Sequence, residues 1–226
     1  MTTAIPYLET TRLSIRPFQL DDLEDLHRLM SEAWDEPRME RDQRLPEREA
    51  WLRWSIANYE ALASMAQPAD EERAVVLRTS GALIGTVGLV TGLGPFRQLP
   101  GFPDQDGSDR WYSEVGLFWS IDPAHQGQGQ GYATEAASAL IDRAMDQFHL
   151  ARVIATTSHD NQKSIAVMRK LGMHILRNPL SEPAWFQVVG VLQFATWEGH
   201  WRWCRRHSRA TPGCADRVPI ANDRHR

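Results

Sequence analysis

The segment from Ile121 to Ala133 reads Ile-Asp-Pro-Ala-His-Gln-Gly-Gln-Gly-Gln-Gly-Tyr-Ala. Gly127, Gly129 and Gly131 alternate in it with Gln126, Gln128 and Gln130. Closely spaced glycines let a chain turn so that successive N–H groups point into one concavity, and a helix start behind them adds partial positive charge. The chemistry on offer is anion binding, and a pyrophosphate suits it. Two nucleotide-binding patterns fail on residue identity. A Walker loop needs Lys and then Ser or Thr after its last glycine, where Tyr132 and Ala133 stand here. A G-x-G-x-x-G fingerprint begun at Gly127 or Gly129 ends on Tyr132 or Thr134 instead of glycine.

Other catalytic constellations are missing from the chain. His125, His159 and His174 have no metal-ligand spacing, and neither H-E-x-x-H nor G-x-S-x-G occurs. Two cysteines, Cys204 and Cys214, cannot build a four-ligand site or a disulfide framework. No metal is expected.

The glycine run must be held by the elements around it. Upstream, Tyr112–Ile121 is rich in aromatic and β-branched residues and reads as a buried central strand. Downstream from Tyr132, Ala133, Ala136, Ala137, Leu140, Ile141, Ala144, Met145 and Phe148 keep an unbroken helical stripe. Further strands are predicted at 13–16, closed by Pro17, and at 74–77 and 83–90, a hairpin turning at Ser80-Gly81. Others follow at 152–157, 173–176 and 185–194. Helices are predicted from Asp21 and Asp22 through Met30, over 46–65, and from Asn161 to Leu171, stopped by Gly172. Residues 91–110 are rich in Gly, Pro and Asp with no apolar period, and read as a loop insertion. The order predicts one α/β (α+β) domain over 1–203: a central mixed, mostly antiparallel sheet flanked by helices.

The glycine segment resembles motif A of the GNAT superfamily of acyl-CoA-dependent N-acyltransferases, Q/R-x-x-G-x-G/A at a strand-to-helix junction. Gly131-Tyr132-Ala133-Thr134-Glu135-Ala136 is similar to the helix start of the Rim-type branch, which acetylates protein N-termini and small amines. Asn161-Gln162-Lys163-Ser164 with Arg169-Lys170-Leu171-Gly172-Met173 resembles the family's second motif. Leu8-Glu9-Thr10-Thr11-Arg12-Leu13 with Arg16-Pro17 resembles its first strand. The match covers roughly residues 8 to 195. The iterated Gln-Gly pair departs from the pattern, because motif A can be laid on Gln126, Gly129 and Gly131 or on Gln128, Gly131 and Ala133. We prefer the second, which keeps the helix start at Tyr132 and enlarges the loop by two residues.

The resemblance implies acetyl-CoA as acyl donor and an amine as acceptor, a protein N-terminus or a small molecule. It implies that CoA lies beside the central strand, at Trp119 and Ile121, and on the run Gln126, Gly127, Gln128, Gly129, Gln130, Gly131, Tyr132 and Ala133. Asn161 would hydrogen-bond the pantetheine arm, or serve as the cap of its own helix. Ser164 would donate a proton to the departing thiolate. Glu114 would receive the amine proton and help bind the acceptor, with Trp51 and Trp54 as candidate acceptor wall. Glu135 is read as structural, since a helix dipole alone accounts for a first-turn carboxylate. A different reading of the same loop is a non-catalytic acyl-CoA-binding regulator.

Of the 226 residues, 42% are hydrophobic and 24% charged, which excludes a disordered or fibrous chain. With no apolar run long enough to cross a bilayer and no leader-like start, the expected location is the cytoplasm, with no membrane partner. The formal charge of −4 is uneven: seven arginines against two aspartates from Arg202 onward leave an acidic body. Residues 204–226 therefore read as a flexible basic tail, solvated and not a nucleic-acid contact. The acidic body favours a cationic acceptor. Apolar residues between Trp185 and Trp203 are a candidate homodimer surface.

Overall fold

The structure is a computed structural model, and it describes residues 7–33, 37–68, 72–102, 111–126 and 129–194. The basic tail 204–226, Gly127, Gln128, residues 103–110 of the predicted loop and residues 195–203 of the candidate homodimer surface lie outside the described residues. Eight strands form one sheet: β1 (Leu8–Glu9), β2 (Leu13–Arg16), β3 (Arg73–Leu77), β4 (Leu83–Gly94), β5 (Tyr112–Ile121), β6 (Arg152–Thr157), β7 (His174–Arg177) and β8 (Val188–Gln193). Their spatial order is β1-β2-β3-β4-β5-β6-β8-β7. Every pairing is antiparallel except β5 with β6. A parallel pair needs a crossover, and α3 (Tyr132–Arg143) supplies it, ending in a wider π turn, Ala144–Phe148. The other helices are α1 (Leu23–Ala33), α2 (Arg38–Ser64) and α4 (Gln162–Lys170).

Strand alternation sends apolar side chains to both faces of the sheet. On one face Leu13, Ile15, Val75, Val87, Leu117, Val153 and Leu192 meet Ala136, Leu140 and Ile141 of α3 and Ile165 and Met168 of α4. On the other face there are two separate clusters. Phe18, Ala74, Val76 and Leu83 pack under Leu26 and Leu29 of α1 and Leu52 of α2. Phe96, Leu99, Phe102 and Phe186 pack with Ile154, Val189 and Val191, the Phe96 and Phe102 rings stacked 4.6 Å apart. Between these clusters β4 and β5 carry little side-chain cover.

Three boundaries differ from the sequence expectation. Helix α2 starts at Arg38 and runs through Pro46 rather than beginning there; a proline removes one helical hydrogen bond, and the remaining turns carry the helix past it. Residues 91–94 are the end of β4, fully paired with β5. Residues 95–102 are not a free loop either: Phe96, Leu99 and Phe102 are buried at spacing three. Last, 184–186 is a short turn, and the strand begins at Val188. Among the described residues no helix is long and apolar enough to cross a membrane.

Candidate active site

The sheet splits where its one parallel pair meets. Strands β4 and β5 are matched residue for residue from Gly85–Ile121 to Gly94–Tyr112, and β6 and β8 from Arg152–Gln193 to Thr157–Val188. Between β5 and β6 only Gly116 and Ile154 are register partners. A cleft of about 1110 Å³ opens at this seam, and Trp119, Gly129, Gly131, Tyr132, Asn161, Ser164 and Glu114 all line it.

At one end stands the N-terminus of α3. Gly129 and Gly131 have φ of 69° and 73°, the left-handed region that side chains resist and glycine adopts freely. Gly131 is the N-cap and so brings no side chain to cover the first turn. The first helical hydrogen bond runs from Glu135 N to Gly131 O, 2.9 Å, leaving the amides of Tyr132, Ala133 and Thr134 without intrahelical acceptors. The helix starts at Tyr132, where the sequence predicts it.

Arg12 fastens this end to the first strands. Its Nη2 donates to Gln130 O at 2.6 Å, its Nε to Glu135 Oε2 at 2.7 Å, and its guanidinium lies 4.5 Å from the Tyr132 ring centre. Glu135 is buried and also accepts from Thr10 Oγ1 at 2.6 Å and Arg12 N at 3.0 Å. Asp122, just after β5, accepts from Arg28 Nη1 at 2.7 Å and from Ala124 N at 2.8 Å. Burial alone would raise its carboxyl; the Arg28 hydrogen bond and the Ala124 amide outweigh that and hold it below the ordinary value of 3.8. The Arg28 guanidinium is raised in turn, chiefly by the same hydrogen bond.

Along the seam, Trp119 is half-buried against the core and lines the cleft. Ile121 turns its side chain into the core, and its carbonyl accepts from Gln126 Nε2. Across from Gln126 begins α4, where Asn161 Oδ1 accepts from Ser164 N at 3.1 Å, the N-cap bond its residue type favours. Lys163 Nζ reaches back over the cleft and donates to Gln126 Oε1 at 2.9 Å.

At the far end, Glu114 is buried and pairs with Arg152, whose Nε donates to Oε2 at 2.8 Å and whose Nη2 donates to Oε1. Arg152 also lies 5.2 Å from the Phe102 ring centre. Glu114, Gly116 and Phe118 share a sheet face with their partners Gly92, Val90 and Gly88. The glycines keep this floor bare, and Gly116 sits so close that an added Cβ would stand 3.1 Å from Val90 O.

Neither Trp51 nor Trp54 is among the residues lining the cleft. Trp51 packs edge-on to Phe18, ring centres 5.6 Å apart, in the α1–α2 cluster. Trp54 is 57% exposed, because the buried stripe of α2 runs through Leu52, Ser55 and Tyr59. The roles of Arg12, Arg152 and Lys163 escaped the sequence reading. Arg12 stood inside a recognised motif, but its partner is 123 residues away.

With this geometry in view, similarity to known proteins is informative. Residues 12–174 match the Acetyltransferase (GNAT) domain family. Among curated proteins, the uncharacterized N-acetyltransferase YnaD of Bacillus subtilis strain 168 is 40% identical over 60 residues, a stretch that spans 26% of this chain and 33% of YnaD. The acetyltransferase of Agrobacterium tumefaciens strain C58 superposes with a TM-score of 0.59 at 26% identity, over 86% of this chain and 98% of that one. Mycobacterium smegmatis RimJ, solved in complex with a CoA disulfide, shares the fold with a TM-score of 0.56 at 16% identity, over 92% and 97% of the two chains. The chain belongs to the GNAT acetyltransferase domain family.

Proposed function

We propose that the chain is an acetyl-CoA-dependent N-acetyltransferase acting on a primary amine, a protein N-terminus or a small molecule, in the cytoplasm. The observation that carries this reading is the cleft at the split in the sheet, with a helix N-terminus that has no side-chain cap at one end and a buried carboxylate at the other. The donor diphosphate rests on the amides of Tyr132, Ala133 and Thr134, with Gly129 and Gly131 giving the backbone its approach. The pantetheine arm follows the unpaired edge of β5 past Trp119, with Asn161 and Ser164 on the opposite wall. The thioester then lies toward Glu114.

In the reaction the neutral amine attacks the thioester carbon, a C–N bond forms, and the C–S bond breaks. Glu114, oriented by Arg152, takes the amine proton directly or through a water, and Ser164 supplies a proton to the thiolate. The acidic body of the chain favours a cationic acceptor.

One observation favours a second reading. Both Glu114 oxygens accept hydrogen bonds from Arg152, so the carboxylate already has an ion-pair partner. A non-catalytic acyl-CoA-binding regulator would keep the glycine loop and use this pair for structure alone. Thiol release from acetyl-CoA with a panel of amines and N-terminal peptides separates the two. Turnover above background supports the enzyme, and tight CoA binding without turnover supports the regulator.

A further inference from the structure

Lys163 bridges the two walls of the cleft at its phosphate end. Its ammonium, on the first turn of α4, donates to the Gln126 amide oxygen at 2.9 Å, three residues before Gly129, and both residues line the cleft. Gln126 is fixed from behind, its Nε2 donating to Ile121 O. Among the described residues Lys163 makes no ion pair; its hydrogen-bond partner is this neutral amide. The chain has 25 Lys and Arg residues, of which only Lys163 and Lys170 are lysines, and both line this cleft. An ammonium whose partner carries no charge gains when an anion replaces that partner, because the attraction between full opposite charges is added to the hydrogen bond.

Resting on the acyl-CoA reading above, we propose that Lys163 is a phosphate-binding residue of the donor site, parked on Gln126 and released to a donor phosphate when acyl-CoA enters. Lysine suits this role better than arginine. Its long flexible stem and compact charge let it swing between two partners, whereas a planar guanidinium is committed to one fork geometry. The group engaged is a phosphate oxygen, of either the diphosphate or the ribose 3′-phosphate.

The test compares wild type, Lys163→Met and Lys163→Arg by calorimetric titration with CoA and with 3′-dephospho-CoA, at low and high salt. We expect Lys163→Met to bind CoA about tenfold or more weakly, from the loss of a charged hydrogen bond. Lys163→Arg recovers most of that loss, and the gap narrows as salt rises. A penalty of the same size with 3′-dephospho-CoA assigns the contact to the diphosphate; one that vanishes assigns it to the 3′-phosphate. CoA binding by Lys163→Met within twofold of wild type overturns the proposal. If wild type itself fails to bind CoA, the donor reading falls first. The thermal midpoint of ligand-free Lys163→Met should equal that of wild type, since the side chain is exposed, which separates lost binding from lost folding.

Discussion

Arg12 and Glu135 join the first strands of the sheet to the first turn of α3 across 123 residues of chain, and Arg12 also grips the Gln130 carbonyl with its far nitrogen. One guanidinium therefore ties the shape of the glycine loop to the rigid sheet. Replacing it leaves the buried Glu135 carboxylate short of its counter-charge. Because Arg12 is 40% exposed, the stability loss for Arg12→Ala is expected at roughly 2 kcal/mol, below that of a fully buried pair. Acetyl-CoA affinity should fall further than in Glu135→Gln, which keeps Arg12 free to hold Gln130. Denaturant titration and a binding isotherm on the same two proteins check both parts.

The glycines at 129 and 131 were legible from the sequence as a tight turn into a helix, because their effect is local backbone freedom. The strands at Arg152–Thr157 and Tyr112–Ile121 were legible for a similar reason, as short apolar runs bounded by turns. What the sequence hid is pairing at a distance: Arg12 with Glu135, Arg152 with Glu114, Lys163 with Gln126. Each is a charged or polar residue of ordinary type, and only the topology brings it to its partner. Residues 95–102 were hidden differently. Gly and Pro masked an apolar triplet, Phe96, Leu99 and Phe102, that the neighbouring aromatic cluster buries.

Gly131→Ala tests the loop itself. An added Cβ at Gly131 meets nothing within 4 Å, so its cost is the left-handed backbone alone, about 1 kcal/mol. The expected result is a modest loss in thermal midpoint and a larger loss of CoA affinity, as the helix start shifts to relieve strain. Affinity unchanged beside a lowered midpoint would show that the amides of this turn do not hold the donor.

Glu114→Gln separates the enzyme from the regulator. Loss of the proton acceptor should lower kcat by about 100-fold while leaving KM for acetyl-CoA near its wild-type value. Near-UV circular dichroism guards against a collapse of the Arg152 pairing. Unaltered kcat in a folded variant would reduce Glu114 to an ion-pair partner.

Asp122 makes the fold acid-sensitive. Its carboxyl lies below the ordinary 3.8 in the folded protein, so its contribution is complete above that value and is lost as pH falls through the lower folded one. Asp122→Asn should therefore be less stable than wild type near neutrality, with the difference shrinking below about pH 4. Urea midpoints measured from pH 7 to pH 3 give the comparison; a constant gap would mean the carboxylate charge is not what Arg28 and the Ala124 amide hold.

The most direct test of the acyl-CoA cleft is the thermal midpoint of the intact protein with acetyl-CoA, with CoA, and with ADP-ribose at equal concentration. A ligand at 100 times its Kd adds about 2.7 kcal/mol to the native state, which for a chain of this size raises the midpoint by roughly 5–10 °C. We predict that rise with both CoA species, a smaller one with ADP-ribose, and its loss when Gly129 and Gly131 are both replaced by bulky residues. No shift with either CoA species at millimolar concentration would contradict the assignment of the glycine loop and every role built upon it.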